Sequence, residues 1–440
     1  MKAKTEKASI ARKKRMIALL LSALMLVAFG CTPRNPAQNG NESSTGAPSG
    51  AGTVNLSAGV KANSAAGRAA DEAFITAQTD FAVRLFQSAL KKGENSLVSP
   101  LSVMLALAMS ANGADGQTLA EMEKVLGGLK IDELNEYLVQ YAKQLVESEK
   151  SELSFANSVW IRDDIAELVE NAFLQKCVDN YGADVFSAPF ERGTVDRING
   201  WVGEKTRGMV DRLIEKIADN TSLFVINALF FEAEWQNKYK TSEIGSGSFK
   251  AINGKKRRVT MMNSAESRYL EDEKAVGFIK PYSDERFAFA ALLPNEGVNI
   301  FDYIESLNGE RLSGILKGAS YASVIAAMPK FSFENNIKLK DALKAMGMEL
   351  AFDHINADFS NLIGAGSVDG NTYIGEVHHG AKIEVTEQGT RAGAATAVEF
   401  LTDGAVFPQR VLTLDRPFVF MIIDTETNIP LFIGALTDVG

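Results

Sequence analysis

"IEVTEQGTRAGAATAVEFLTDG", Ile383–Gly404, is the stretch on which the fold turns. It opens as a strand, with Ile383 and Val385 alternating with polar neighbours, and then runs from Gly389 to Ala397 in little but Gly, Ala and Thr. Such residues are too small to hold a core and too apolar for an ordinary loop. Sorted by the two-residue period of a strand, Thr390, Ala392, Ala394, Thr396, Val398 and Phe400 share one face. The other face takes Arg391, Gly393, Ala395, Ala397 and Glu399, so both charges fall together. The uncharged face starts small and grows toward Phe400. Its Gly and Ala content nevertheless gives poor strand propensity. The pattern fits a loop in one state and a half-buried strand in another, whereas composition alone suggests a Gly/Ala surface loop.

Working outward, a chain of 440 residues, 46% hydrophobic, buries one large domain or two ordinary ones. A formal charge of -9 argues against nucleic acid as a partner. "KKRR", Lys255–Arg258, follows Asn253-Gly254 and reads as a solvated hairpin flank. Three histidines (His354, His378, His379) and two cysteines (Cys31, Cys177) are too few for a Cys-rich zinc site. There is no His-Glu-x-x-His motif, no Gly-x-Ser-x-Gly elbow and no phosphate-binding Gly-x-x-x-x-Gly-Lys-Ser/Thr loop. The expectation is a protein without metal or cofactor that is not an enzyme.

The N-terminus reads as an export signal. Basic residues from Lys2 to Arg15 precede an apolar run, Met16–Phe29, too short for a comfortable membrane span. The run ends at Gly30-Cys31 and resembles the lipobox of bacterial lipoproteins, with Phe29 departing from the usual small residue. That resemblance implies cleavage before Cys31 and its lipidation; a conventional signal peptide or an uncleaved anchor are the alternatives. Residues 1–30 are thus expected to be signal, and residues 31–70, rich in Ser, Gly, Asn and Pro, a flexible tether. A lipidated Cys31 would leave Cys177 without a disulfide partner.

From about Asp71 the composition is globular. "FAVRLFQSAL" (81–90) carries a helical apolar stripe, and "SPLSVMLALAMSANGADGQTLAEMEKVLG" (99–127) reads as a buried helix, a turn and a second helix. "LSFANSVWI", "TSLFVINALFF", "FAFAALLP", "SVIAAMPKFSF" and "FVFMIID" read as strands, several apolar on both faces. Helices early and strands late favour α+β.

These segments, in this order, resemble the serpins. "NSLVSPLSVMLALAMSANGADGQT", "INGWVGEKTRGMVDRLI", "LFVINALFFEAEW", "RVTMMN", "LLPNEG", "MPKFSFENNIKLKDALKAMGM", "HHGAKIEVTEQGTRAGAATA" and "DRPFVFMIIDTETNIPLFIGAL" carry the likeness, which covers residues 72–440. It implies one serpin domain over 71–440: helices around a large mixed central sheet, smaller sheets, and an exposed reactive-centre loop at about 387–412. It also implies a suicide-substrate inhibitor, whose loop is cut by a serine or cysteine protease and inserts into the sheet while the acyl-enzyme persists.

Residue by residue, the likeness places the loop hinge at Glu387, Gly389 and Thr390, followed by Arg391, Ala392, Gly393, Ala394, Ala395, Thr396 and Ala397. Arg391 and Gly393 depart from the family's usual acidic residue and Ala, both on the solvent-facing parity. Ser99, Ser102, Asn227 and His379 match a buried polar gate beneath the point where the sheet opens. Lys330 and Glu387 match a charge pair at the opening, beside Trp235. Without the family, Trp235 is core, Lys330 surface, and His378 and His379 ordinary hydrogen-bonded core histidines. The bait bond falls among Asp403, Gly404, Ala405 and Val406: counting from Glu387 favours Asp403, counting back from Arg416-Pro417-Phe418 favours Val406. An elastase-like target suits Ala405 or Val406. The alternatives are a non-inhibitory serpin acting as substrate, carrier or chaperone, a surface enzyme, and a lipid-anchored solute-binding protein. The implied setting is a monomer held at the bacterial cell envelope through Cys31, or secreted.

Overall fold

Two sheets organise the chain in the computed structural model, which describes residues 52–146, 150–210, 212–218, 221–364, 372–390 and 409–440. All of them fall in one unit, Ser49–Gly440. In chain order the strands are β1 (Val54–Asn55), β2 (Ser96–Val98), β3 (Ser151–Arg162), β4 (Asp184–Ala188), β5 (Leu223–Glu234), β6 (Ile244–Lys250), β7 (Lys256–Glu271), β8 (Ala275–Pro281) and β9 (Phe287–Pro294). There follow β10 (Ser320–Pro329), β11 (Phe331–Lys338), β12 (Ile374–Val385), β13 (Gly389–Thr390), β14 (Gln409–Thr413), β15 (Phe418–Asp424) and β16 (Pro430–Leu436). The first sheet runs β1-β4-β3-β5-β13-β12-β11; the second runs β14-β10-β7-β8-β9-β15-β16-β2, with β6 paired to β7. The first is mixed: β3–β4 and β5–β12 are parallel, and the other pairs are antiparallel.

Local sequence explains the layers. Every residue of β9 and β15 is buried, as apolar runs require of central strands; Asp424, the one charge, closes β15 paired with Arg286. β10 instead alternates, burying Ala322, Val324 and Ala326 and exposing Tyr321, Ser323 and Ile325, so one of its faces meets solvent. "SVIAAMPKFSF" is two strands, not one: Pro329 ends β10, and the chain crosses through Lys330 into β11 of the other sheet. The helix Glu72–Ala89 is capped by Asp71, whose carboxylate accepts from the N–H groups of Ala73 and Phe74. The helix Pro100–Ala111 has Pro in its first turn and is buried all round, which puts it between the sheets with β5 on one side and β16 on the other.

One sequence expectation changes. Residues 54–70 lie on the domain and do not belong to a free tether. β1 adds to the edge of β4, Leu56 N–H donates to Val185 O at 2.7 Å, and Asn63 N–H donates to Asp179 at 2.7 Å. Further along, the Arg68 guanidinium lies 4.9 Å from the centre of the Tyr137 ring and pairs with Glu133. Polar composition misled because the gain here is mostly backbone hydrogen bonding and edge-strand cover, to which composition is blind. A chain beginning at residue 71 should therefore unfold at lower urea than one beginning at residue 52, by about 2 kcal/mol. Equal midpoints would show that the segment contributes nothing.

Candidate functional site: a sheet opened at its hinge

The first sheet is closed at one end and parted at the other. From Leu223 to Ala228, β5 pairs directly with β12 in parallel register, Leu223 opposite Ile374 and Ala228 opposite Gly380. Near the far end of β5 the two strands separate, and the residues filling the gap are Gly389 and Thr390. Gly389 pairs with Glu234, Thr390 with Ala233, and Thr390 also with Val385 across the turn. Glycine is required at 389: a Cβ there would stand 2.1 Å from the Ala233 carbonyl oxygen, a backbone atom that cannot give way.

A ring of contacts holds this hinge. Trp235 N–H donates to Gln388 O at 2.9 Å, and Tyr239 N–H to Glu387 O at 3.1 Å. The Trp235 indole Nε1–H donates to Thr386 O at 2.8 Å. Glu387 pairs with Lys330 at 2.8 Å, and the Lys330 hydrogen bond holds its carboxyl below the usual range. Thr390 is buried, its hydroxyl 2.6 Å from that of Tyr282. Tyr282 is itself stacked on Trp235 at 4.6 Å, and burial pushes its phenol pKa up. Against the Trp235 and Tyr239 rings lies Lys280, buried and paired with buried Glu266 at 2.8 Å.

Farther down the same seam lies a saturated polar cluster. Asn227 Oδ1 accepts from Ser102 Oγ at 2.6 Å and from His379 Nδ1 at 3.0 Å. Its amide donates to Ser102 O and to Asn157 Oδ1, each at 2.7 Å. His379 Nε2 faces the Ser99 N–H at 3.0 Å, so that nitrogen carries the lone pair and Nδ1 the proton. The Ser99 hydroxyl, at the N-cap of the helix Pro100–Ala111, makes no cap bond and donates to Leu431 O at 2.8 Å. Four elements thus meet at one amide and one imidazole on the line where β5 and β12 part. Residues 76–439 match the family profile described as Serpin (serine protease inhibitor).

The chain is a serpin. It is 31% identical over 375 residues to an uncharacterized serpin-like protein of Thermococcus kodakarensis, covering 82% of this chain and 85% of that protein. Among solved structures it is similar to the thermophilic serpin tengpin in its native state, with 42% identity, TM-score 0.82, 88% of this chain and all of that one covered. The latent state of tengpin superposes less well, with 40% identity and TM-score 0.75, over 85% of this chain and all of that one.

The fold of this serpin brings Ser99, Ser102, Asn227 and His379 together, and Glu387, Gly389, Thr390, Lys330 and Trp235 at the opening. The other residues expected in the hinge, Arg391, Ala392, Gly393, Ala394, Ala395, Thr396 and Ala397, lie outside the described residues. So do the bait candidates Asp403, Gly404, Ala405 and Val406, and Cys31. Among the described residues no group of His, Cys, Asp or Glu is placed to hold a metal, and no helix is long and apolar enough to cross a membrane. Cys177 is a buried thiol. Sequence reading missed Tyr282, Lys280 and Glu266. Tyr282 follows Pro281 in "KPYSDER", which reads as a turn, and the two charges sit where a strand could equally face water. His378 also differs from expectation, being buried without a hydrogen bond among the described residues.

Burial drives the pKa of both His378 and His379 down to about 4, with Lys338 adding to the effect at His378. An unfolded histidine titrates near 6.5, so between these values the unfolded chain binds more protons than the native one. Native stability should therefore fall as pH drops from about 6.5 to about 4, by roughly 3 kcal/mol for each histidine. Urea midpoints measured across that window check this, and His379→Asn should remove about half of the slope. A slope untouched by the substitution would place the titration elsewhere.

Proposed function

We propose that this serpin inhibits a serine or cysteine protease by offering the 387–412 loop as substrate and drawing the cut loop into the first sheet while the acyl-enzyme survives. The observation that carries this reading is the seating of Gly389 and Thr390 between β5 and β12. The strand that has to insert has its first two residues in register, and the parallel pairs below are what it must part. About a dozen added strand residues at about 1 kcal/mol net per hydrogen bond make the inserted state more stable by on the order of 10 kcal/mol. The uncut form is accordingly held by a kinetic barrier. The Thr390 to Phe400 parity, uncharged on the inward side, supports insertion.

An elastase-like protease is the favoured target, with the bait bond next to Ala405 or Val406. The setting is a monomer exported and tethered to a membrane through lipidated Cys31. The experiment mixes the protein with pancreatic elastase and runs denaturing gels, with mass spectrometry of the released C-terminal peptide. A complex that survives SDS is expected, and the first residue of the peptide identifies the bond. Cleavage without complex across a panel of proteases, acid-specific ones included, would overturn inhibition in favour of a non-inhibitory serpin. Metabolic labelling with palmitate tests the anchor: label lost in Cys31→Ala supports it, and label absent from the wild type ends it.

A further inference from the structure

Residues 209–210 and 212–218 follow the helix Arg192–Lys205, lie against the first sheet and are fastened mainly on one side. Asn199 of that helix accepts from the N–H groups of Leu213 and Ile214 and donates to Ile214 O. Val210, Leu213 and Ile214 pack with Trp201, Phe224 and Ile226, which belong to the helix and to β5. On the other side the segment only rests against β11 and β12. Asn336 donates to Arg212 O at 3.1 Å, and Gly380 makes room for Leu213, whose Cδ1 would lie 2.9 Å from a Cβ at that position.

Between this cover and the strands is a cavity of about 260 Å³. One wall is Arg212 to Lys216 of the cover; the other is Asn336, Ile337 and Lys338 of β11 with His378 of β12. The walls therefore belong to the two halves of the seam between β5 and β12. Three cations, Arg212, Lys216 and Lys338, meet one carboxylate, Glu215, at its rim, and among the described residues none of the three is in an ion pair. Leu213, Ile214 and Ile337 make part of the lining apolar. A further polar feature is His378, only 5% exposed, its ring 5.8 Å from that of Phe224 and without a hydrogen-bond partner among the described residues. Its ring lines the cavity, so the imidazole is free to bond a group that enters there. Burial keeps this ring neutral at pH 7, so it offers one N–H and one lone pair.

We propose that this cavity is a binding site for a small organic anion, a carboxylate or phosphate on an apolar body, and that its occupant pins the cover to β11 and β12 and slows opening of the β5–β12 seam. The anionic group meets Arg212, Lys216 and Lys338 and accepts from His378; the body lies on Leu213, Ile214 and Ile337. Cavity and charge carry the first half of the proposal. The second half rests on the loop-insertion reading above, because only a strand arriving between β5 and β12 must separate the two walls. A ligand favouring the closed sheet shifts the equilibrium by its preference for that state alone.

The test is calorimetric titration of the full chain with phenyl phosphate. Expected is one site with a dissociation constant on the order of 0.1–1 mM, weakened about tenfold or more by R212Q/K338Q. His378→Phe keeps the buried ring, removes the donor and should weaken binding similarly, which keeps the site testable if the charge variant folds poorly. No binding, binding indifferent to these changes, or equal binding of benzyl alcohol would overturn the site. Inorganic phosphate binding as tightly as phenyl phosphate would overturn the apolar-body assignment. Amide hydrogen exchange at 223–228 and 374–380 reads the seam: slower exchange with saturating phenyl phosphate supports the pinning, and unchanged exchange overturns it. Slower exchange in a protein that traps no protease would uphold the pinned seam and count against inhibition alone.

Discussion

Thr390→Arg should abolish the SDS-stable complex with elastase while leaving loop cleavage intact. Thr390 is 3% exposed and its hydroxyl sits 2.6 Å from that of Tyr282, whose ring packs on those of Trp235 and Phe231. A guanidinium there would lie buried against the Tyr282 phenol, and an unpaired buried charge costs several kcal/mol. The guanidinium should leave this resting seat for solvent, so that insertion has to bury it anew, and a barrier raised by about 4 kcal/mol slows insertion roughly a thousandfold. Deacylation then outruns trapping, and the protease leaves with a cut loop behind it. Thr390→Val is the control: it keeps shape and burial, loses only the Tyr282 bond at about 1 kcal/mol, and should still form complex. If Thr390→Arg traps elastase as the wild type does, the hinge does not enter the sheet at this residue.

Asn227→Ala should be the most destabilising single change in the gate. All four hydrogen bonds of this amide are short and buried, joining the helix Pro100–Ala111, β3 and β12 at one point. Truncation orphans the Ser102 hydroxyl, the Asn157 side-chain carbonyl and the His379 N–H together, while the Ser102 backbone carbonyl keeps its partner within the helix. Each orphan costs about 1–3 kcal/mol before relaxation, and partial repair should leave a loss of about 3–5 kcal/mol. Urea unfolding of the purified variant measures it. A loss below about 1 kcal/mol would mean that the cluster re-pairs without Asn227 and does not hold the seam.

Much of this was legible because the informative residues obey periodicities. β9 and β15 announce themselves as central strands by apolar runs broken only by Asp424 at the end of β15, and the helix Pro100–Ala111 by a run after Ser-Pro in which only Ser102 and Ser110 are polar. The parity that put Thr390 on the inward face agrees with its burial against Tyr282. What stayed hidden depends on partners far apart in the chain. Tyr282 lies 108 residues from Thr390, and nothing in "KPYSDER" says that its hydroxyl meets the hinge. The docking of residues 54–70 escaped notice because "TVNLS" is too short to show strand alternation within a polar run. His378 escaped because an apolar neighbourhood predicts burial and does not say whether a hydrogen bond comes with it.

The placement of tryptophan turns the hinge into an optical gauge. The chain has three such residues. Trp160 and Trp201 share a separate apolar cluster under the helix Arg192–Lys205, whereas Trp235 gives both of its N–H groups to the hinge. With Trp160 and Trp201 replaced by phenylalanine, the remaining emission would come from a single indole touching residues 386 and 388. A stopped-flow trace of that emission would time the departure of the hinge from its resting contacts without a label attached anywhere.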